Sequence, residues 1–231
     1  MARTIRQQIK QPDAFQILAG QGAGWIESHA KGLLIGGAAL LLAVAGTWGY
    51  RYWAEKNEEK ASIAYMLALE AEGPQEAEAL RRTALAHPRT RGGVMARLDL
   101  ARALREGGEH AGAEQEYQIL LGSAAAQPLD RELAQRGLAA TLELQGKCPD
   151  AITLWREIIG RGSLLGADDL YVQIANCEER AGDPRAAART LEEFSQKFPQ
   201  SPFLTEVLRE RMDRLAGPAA KAPAAPAQPQ K

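Results

Sequence analysis

LARALREGGEHAGAEQEYQILL, residues 100–121, recurs as LAATLELQGKCPDAITLWREII at 138–159 and as IANCEERAGDPRAAARTLEEFS at 174–195. In each copy a small residue precedes a glycine by seven places: Ala101 and Gly108, Ala139 and Gly146, Ala175 and Gly182. An alanine follows that glycine by five (Ala113, Ala151, Ala187), and a bulky side chain comes four later (Tyr117, Trp155, Leu191). The glycines stand 38 and then 36 residues apart.

Each mark has a physical reason. Glycine lets the chain turn between two antiparallel helices where a Cβ would strain the backbone. The alanines let helix backbones approach, and the bulky residue lies on the same helix face as the alanine four before it. In the middle copy Ala151, Leu154, Trp155, Ile158 and Ile159 make one apolar stripe at helical spacing. Asp183-Pro184 and Ser201-Pro202 each place a capping side chain before a proline, which predicts helix starts.

The pattern resembles the tetratricopeptide repeat, a helix pair of about 34 residues, from Met95 to about Pro199. Arg97 and Gln135 stand where that repeat commonly has tryptophan. Upstream, SIAYMLALEAEGPQEAEALRRTALAHP (62–88) reads as a degenerate first repeat turning at Gly73-Pro74; downstream, SPFLTEVLRERMDRLAG (201–217) reads as a closing helix. No β-branched alternating stretch follows residue 54. The expected fold is all-α: one apolar helix, then a tetratricopeptide-like α-solenoid over residues 51–215.

The apolar helix is KGLLIGGAALLLAVAGTWGYRYW (31–53), with no charge from Gly32 to Tyr50. Nineteen residues at about 1.5 Å each cover roughly 28 Å, close to the hydrocarbon thickness of a bilayer. Lys31 and Arg51 bracket the stretch; Trp48, Tyr50, Tyr52 and Trp53 cluster at its exit, as aromatic rings do at a membrane interface. Ala43-Val44-Ala45 could pass for a signal-peptide cleavage site, but thirty residues are long for a signal's leading region. Arg3, Arg6, Lys10 and Lys31 before the stretch against Arg51, Lys56 and Lys60 after it favour a cytoplasmic N-terminus. The expected order is a short cytoplasmic segment (1–31), a transmembrane helix (32–50), the repeats outside, and a disordered Pro/Ala-rich tail (216–231). Gly32 and Gly36 begin a small-residue face of the kind that lets membrane helices pack.

One uncharged span ending in WGYRYW, then the charged helix AEKNEEKASIAYMLALEA (54–71), then the repeats, resembles the ancillary subunit of the bacterial Sec translocon. The resemblance implies an inner-membrane protein with a periplasmic repeat domain that binds the translocon, periplasmic chaperones or emerging chains. The alternative is a periplasmic adaptor in outer-membrane assembly or cell division, whose repeat proteins SQKFPQSPFLTEV (195–207) resembles.

In such arrays the first helices of successive repeats line a concave groove. Carried over by that likeness, the groove presents Leu98, Arg102 and Arg105, then Arg136, Ala140 and Glu143, then Val172, Asn176 and Glu179, a mixed surface suited to an extended peptide. The same charges also suit an ordinary solvated helix face.

A net charge of −1 shows no nucleic-acid footprint. His29, His87 and His110 lack metal-ligand spacing and read as surface residues. GQGAGW (20–25) follows no strand and reads as a flexible joint rather than a cofactor loop. No phosphate-binding loop or nucleophile motif occurs, so neither an enzyme nor a cofactor is expected. The two cysteines fall at the start of one helix (Cys148) and near the end of the next (Cys177). Sequential antiparallel helices bring those ends level, which predicts a disulfide in an oxidising compartment; the alternative is two separate buried thiols.

Overall fold

The computed structural model describes residues 14–220. The start of the expected cytoplasmic segment and the tail from Lys221 lie outside them. The described residues are helical, with no strand: α1 (Ala14–Leu69), α2 (Pro74–Ala86), α3 (Arg91–Glu106), α4 (His110–Gly122), α5 (Pro128–Leu144), α6 (Cys148–Arg161), α7 (Asp168–Arg180), α8 (Pro184–Lys197) and α9 (Glu206–Ala220). Residues up to Lys56 form one compact unit and those from Asn57 another.

In the first unit α1 is helical through Gly20–Trp25, where the glycines predicted a joint. Glycine costs a helix interior only about 1 kcal/mol each and does not by itself break one. Among the described residues, α1 from His29 is the helix long and apolar enough to cross a membrane. Its Leu34, Ile35, Leu40, Leu41, Leu42 and Trp48 are exposed rather than packed in a core. At its aromatic end Trp48 stacks on Tyr52, ring centroids 6.3 Å apart.

In the second unit each helix from α2 to α9 packs on the next in sequence, the arrangement of a solenoid. The repeat marks are its hinges and seams. Gly108, Gly146 and Gly182 take φ of 83°, 76° and 82°. The residue after each glycine donates back five places: Glu109 N to Leu104 O, Lys147 N to Leu142 O and Asp183 N to Glu178 O, at 2.8–2.9 Å. This left-handed cap closes three helices in the same way. All six marked alanines are fully buried, and Tyr117, Trp155 and Leu191 are buried above them.

The degenerate first repeat is the end of α1 paired with α2, turning at Gly73 with φ 60°. Thr83 Oγ1 donates to the Ala64 carbonyl across the pair. α3 meets α1 at Gly92, where a Cβ would lie 2.6 Å from the carbonyl carbon and oxygen of Ala61. The core runs from Ala68 to Cys177. A second cluster, around Tyr171, Leu191, Phe194 and Leu208, closes the C-terminal end.

Two expected boundaries move. Asp183 caps α8, accepting from Ala186 N at 2.9 Å, but Ser201-Pro202 starts no helix. Ser201 Oγ instead donates to Asp168 at 2.7 Å and accepts from Phe203 N, holding a turn, and α9 begins at Glu206. Residues 216–220, expected in the tail, belong to α9, which is broken at Gly217 (φ 49°).

Cys148 and Cys177 are joined by a disulfide, Cα atoms 5.2 Å apart, tying the start of α6 to the end of α7. Both cysteines are buried.

Trp155→Ala should cost about 3–5 kcal/mol, the range for truncating a large buried aromatic, whereas Arg102→Ala, at a half-exposed side chain, should cost little. Equal losses in urea unfolding would contradict this packing. Reduction opens a covalent loop over a separation of 29 residues. It should lower stability by about 3–4 kcal/mol in the chain-entropy treatment. Unfolding with and without reductant checks it, and an unchanged midpoint would contradict it.

Candidate protein-binding groove

The first helices of three successive repeats, α3, α5 and α7, line a cavity of about 390 Å³. Its polar edge includes Asp99, Arg102 and Arg105 from α3, Arg136 and Glu143 from α5, and Asp169 and Gln173 from α7. The second helices supply Tyr117 and Trp155. Gly137 admits the Tyr117 ring: a Cβ there would lie 2.5 Å from the tyrosine oxygen.

Leu98, Arg102, Arg105, Arg136, Ala140 and Glu143 of the expected groove line this cavity together. Val172, Asn176 and Glu179 do not. Val172 packs against the C-terminal apolar cluster, Asn176 donates to Gln173 at 3.3 Å, and Glu179 receives Arg211 of α9 at 2.8 Å. The closing helix thus takes the last turn of α7, and the cavity reaches α7 nearer its start. Asp99, Leu133, Asp169, Leu170 and Gln173 line the cavity as well, outside the expected groove set, Asp169 being expected on a solvated helix face. Helical spacing could have found Asp99, three before Arg102.

Most lining charges are internally occupied. Arg136 gives two bonds to Asp169 (3.0 and 2.8 Å), one to Glu132 (3.1 Å) and one to Ser163 (2.9 Å), and it also reaches the Gly166 carbonyl. It clamps the 162–167 loop. Asp99 receives the Tyr65 hydroxyl and Arg102. Burial and that bond push the Tyr65 hydroxyl up to about 12.

The carboxylates beside the groove are displaced in opposite directions. Burial raises Glu143, although Arg180, 2.9 Å away, pulls it down. Burial also acts to raise Glu132, but bonds from Ser163, Leu164 N, Arg136 and Leu165 N outweigh it and hold that carboxyl below its usual range.

His87 and His110 are half-buried rather than surface residues. His87 Nδ1 faces Asn57 Oδ1 at 3.1 Å, which draws the ring against α1. Among the described residues no cluster of three metal-binding side chains occurs.

The tetratricopeptide repeat-like domain family matches residues 24–162, and the tetratricopeptide repeat family matches 169–201. The chain belongs to the tetratricopeptide repeat-like family. No protein with a curated description matches. Crystal structures of kinesin light chain nearly identical TPR-like repeats from Podosopora anserina share the fold. One has TM-score 0.53 and a single-substitution variant of the same protein 0.54, each at 14% identity over 71% of this chain and 86% of that one. Arrays of this family are protein-interaction scaffolds.

Glu143→Gln should raise stability at neutral pH. A carboxyl with a raised folded-state pKa contributes most when protonated and loses that contribution as pH rises through the raised value. The gain should therefore vanish in acid. Glu132→Gln should do the reverse: its ionised form stabilises above the usual carboxylate range, and that support is lost as pH falls through the depressed value. Thermal unfolding from about pH 3 to 8 checks both; the same sign for the two variants would contradict the assignment.

Proposed function

We propose that the chain is a membrane-anchored scaffold of the bacterial inner membrane. Its N-terminus is cytoplasmic and its repeats lie in the periplasm. The concave groove holds protein partners beside the Sec translocon: channel subunits, periplasmic chaperones or emerging chains. The observation that carries the scaffold reading is the cavity shared by three successive repeats, lined by both apolar and charged side chains. The apolar stretch of α1 supports the anchor, and the buried disulfide suits an oxidising compartment. The order of span, aromatic exit and repeats supports the translocon as the place of work. Catalysis has no part in this reading.

Alkaline phosphatase fused after Gly217 should be active; an inactive fusion with a cytoplasmic reporter active at the same point would refute the topology. A photo-crosslinker at Leu98 or Gln173, in native membranes, should capture channel subunits or periplasmic chaperones, whereas one at the exposed Thr153 should not. Capture of outer-membrane assembly or division proteins would move the chain to the adaptor reading. Equal capture from both positions would remove the groove from the function.

A further inference from the structure

Three carboxylates line the cavity. Asp99 is engaged by Tyr65 and Arg102, and Asp169 is held on both oxygens by Arg136. Glu143 differs. Its side chain is only 11% exposed, and its ion partner among the described residues is Arg180, which is 59% exposed. A mostly hydrated arginine can swing away at small cost, leaving a largely buried carboxylate open to another cation from the cavity side. Burial outweighs Arg180 in setting the Glu143 carboxyl, as expected of a charge whose lost hydration is incompletely replaced.

The geometry points to an occupant: an extended peptide segment of a partner protein with a basic side chain on an apolar stretch, its cation at Glu143. This rests on the scaffold reading and names the chemistry of what the groove takes. The apolar neighbours of the basic residue lie against Leu133, Trp155 and Leu170, which line the same cavity. Arg102 and Arg105 on the neighbouring α3 line the same cavity; they disfavour the ligand's cation on that side and can donate to its backbone carbonyls. An acidic side chain in the same place would meet the Glu143 carboxylate, whose charge is offset only by the largely exposed Arg180. It would also find Arg102 engaged by Asp99, and Arg136 by Glu132 and Asp169.

The test uses the full chain in lipid nanodiscs and fluorescent Ala/Leu nonapeptides with a central Lys, norleucine or Glu. The Lys peptide should bind about tenfold tighter than the Glu peptide, a difference readable by anisotropy. Glu143→Gln, shown folded by its thermal transition, should abolish that preference. Arg180→Gln, which frees the carboxylate, should sharpen it. Equal binding of all three peptides, a preference for Glu, or a Lys preference that survives Glu143→Gln would overturn the proposal. So would no binding up to about 1 mM. Binding that emerges only after removal of residues 221–231 would make the chain's own tail the occupant and overturn it too. The photo-crosslinking at Leu98 does not depend on ligand charge, so the scaffold reading stands or falls separately.

Discussion

A stack of helix pairs touches only its neighbours, so each pair must be fastened to the next or it slides. Here an acidic side chain of one repeat closes the amide groups that open the next. Glu58 on α1 accepts from Arg91 N and Gly92 N at 3.0 and 3.2 Å. Glu132 on α5 accepts from Leu164 N and Leu165 N at 2.7 and 3.4 Å. The free amides of Arg91 and Gly92 at the start of α3 need such partners, and a carboxylate there suits the positive end of the helix dipole, whereas Glu132 holds the loop that leads into α7. Side-chain pairs carry the fastening onward: Arg91 to the fully buried Asp130, Arg136 to Asp169, and Arg211 of α9 to Glu179. In a quasi-one-dimensional array, interface terms of this kind add to the intrinsic stability of each repeat.

The fastening decides what the groove can offer. Arg136 belongs to the α5–α7 joint, and α9 removes Glu179 from the open surface. What remains is an apolar lining and a few charges with exposed partners, Arg105 and Glu143 among them. A concave surface of mixed sign is mostly self-neutralised by its own ion pairs.

The repeats were legible in the sequence because their marks are local. A glycine forced into a left-handed turn, an alanine at a close approach and a bulky side chain one turn later each leave a one-letter trace at fixed spacing. The groove positions on α3 and α5 were readable for the same reason. The α7 positions were not, because their fate depends on α9, about thirty residues downstream, and on the clamped 162–167 loop. The Ser201-Pro202 start misled because a serine before proline caps a turn as readily as a helix, and the choice was made by Asp168. The polar ladder was also hidden: separations near one repeat length, such as Glu58 to Arg91 or Glu132 to Leu164, leave no pattern until the helices are stacked.

The disulfide between α6 and α7 has a mechanical meaning for a repeat array placed under tension. Repeat arrays unravel from their ends, one helix pair at a time. A front entering from α9 can peel away α8, but it cannot release the chain between Cys148 and Cys177, which is covalently closed. The tether length released by tension is shortened by that loop. The joint between the two repeats that contribute Glu143 and Gln173 to the groove then remains a fixed link while the end of the array is drawn out.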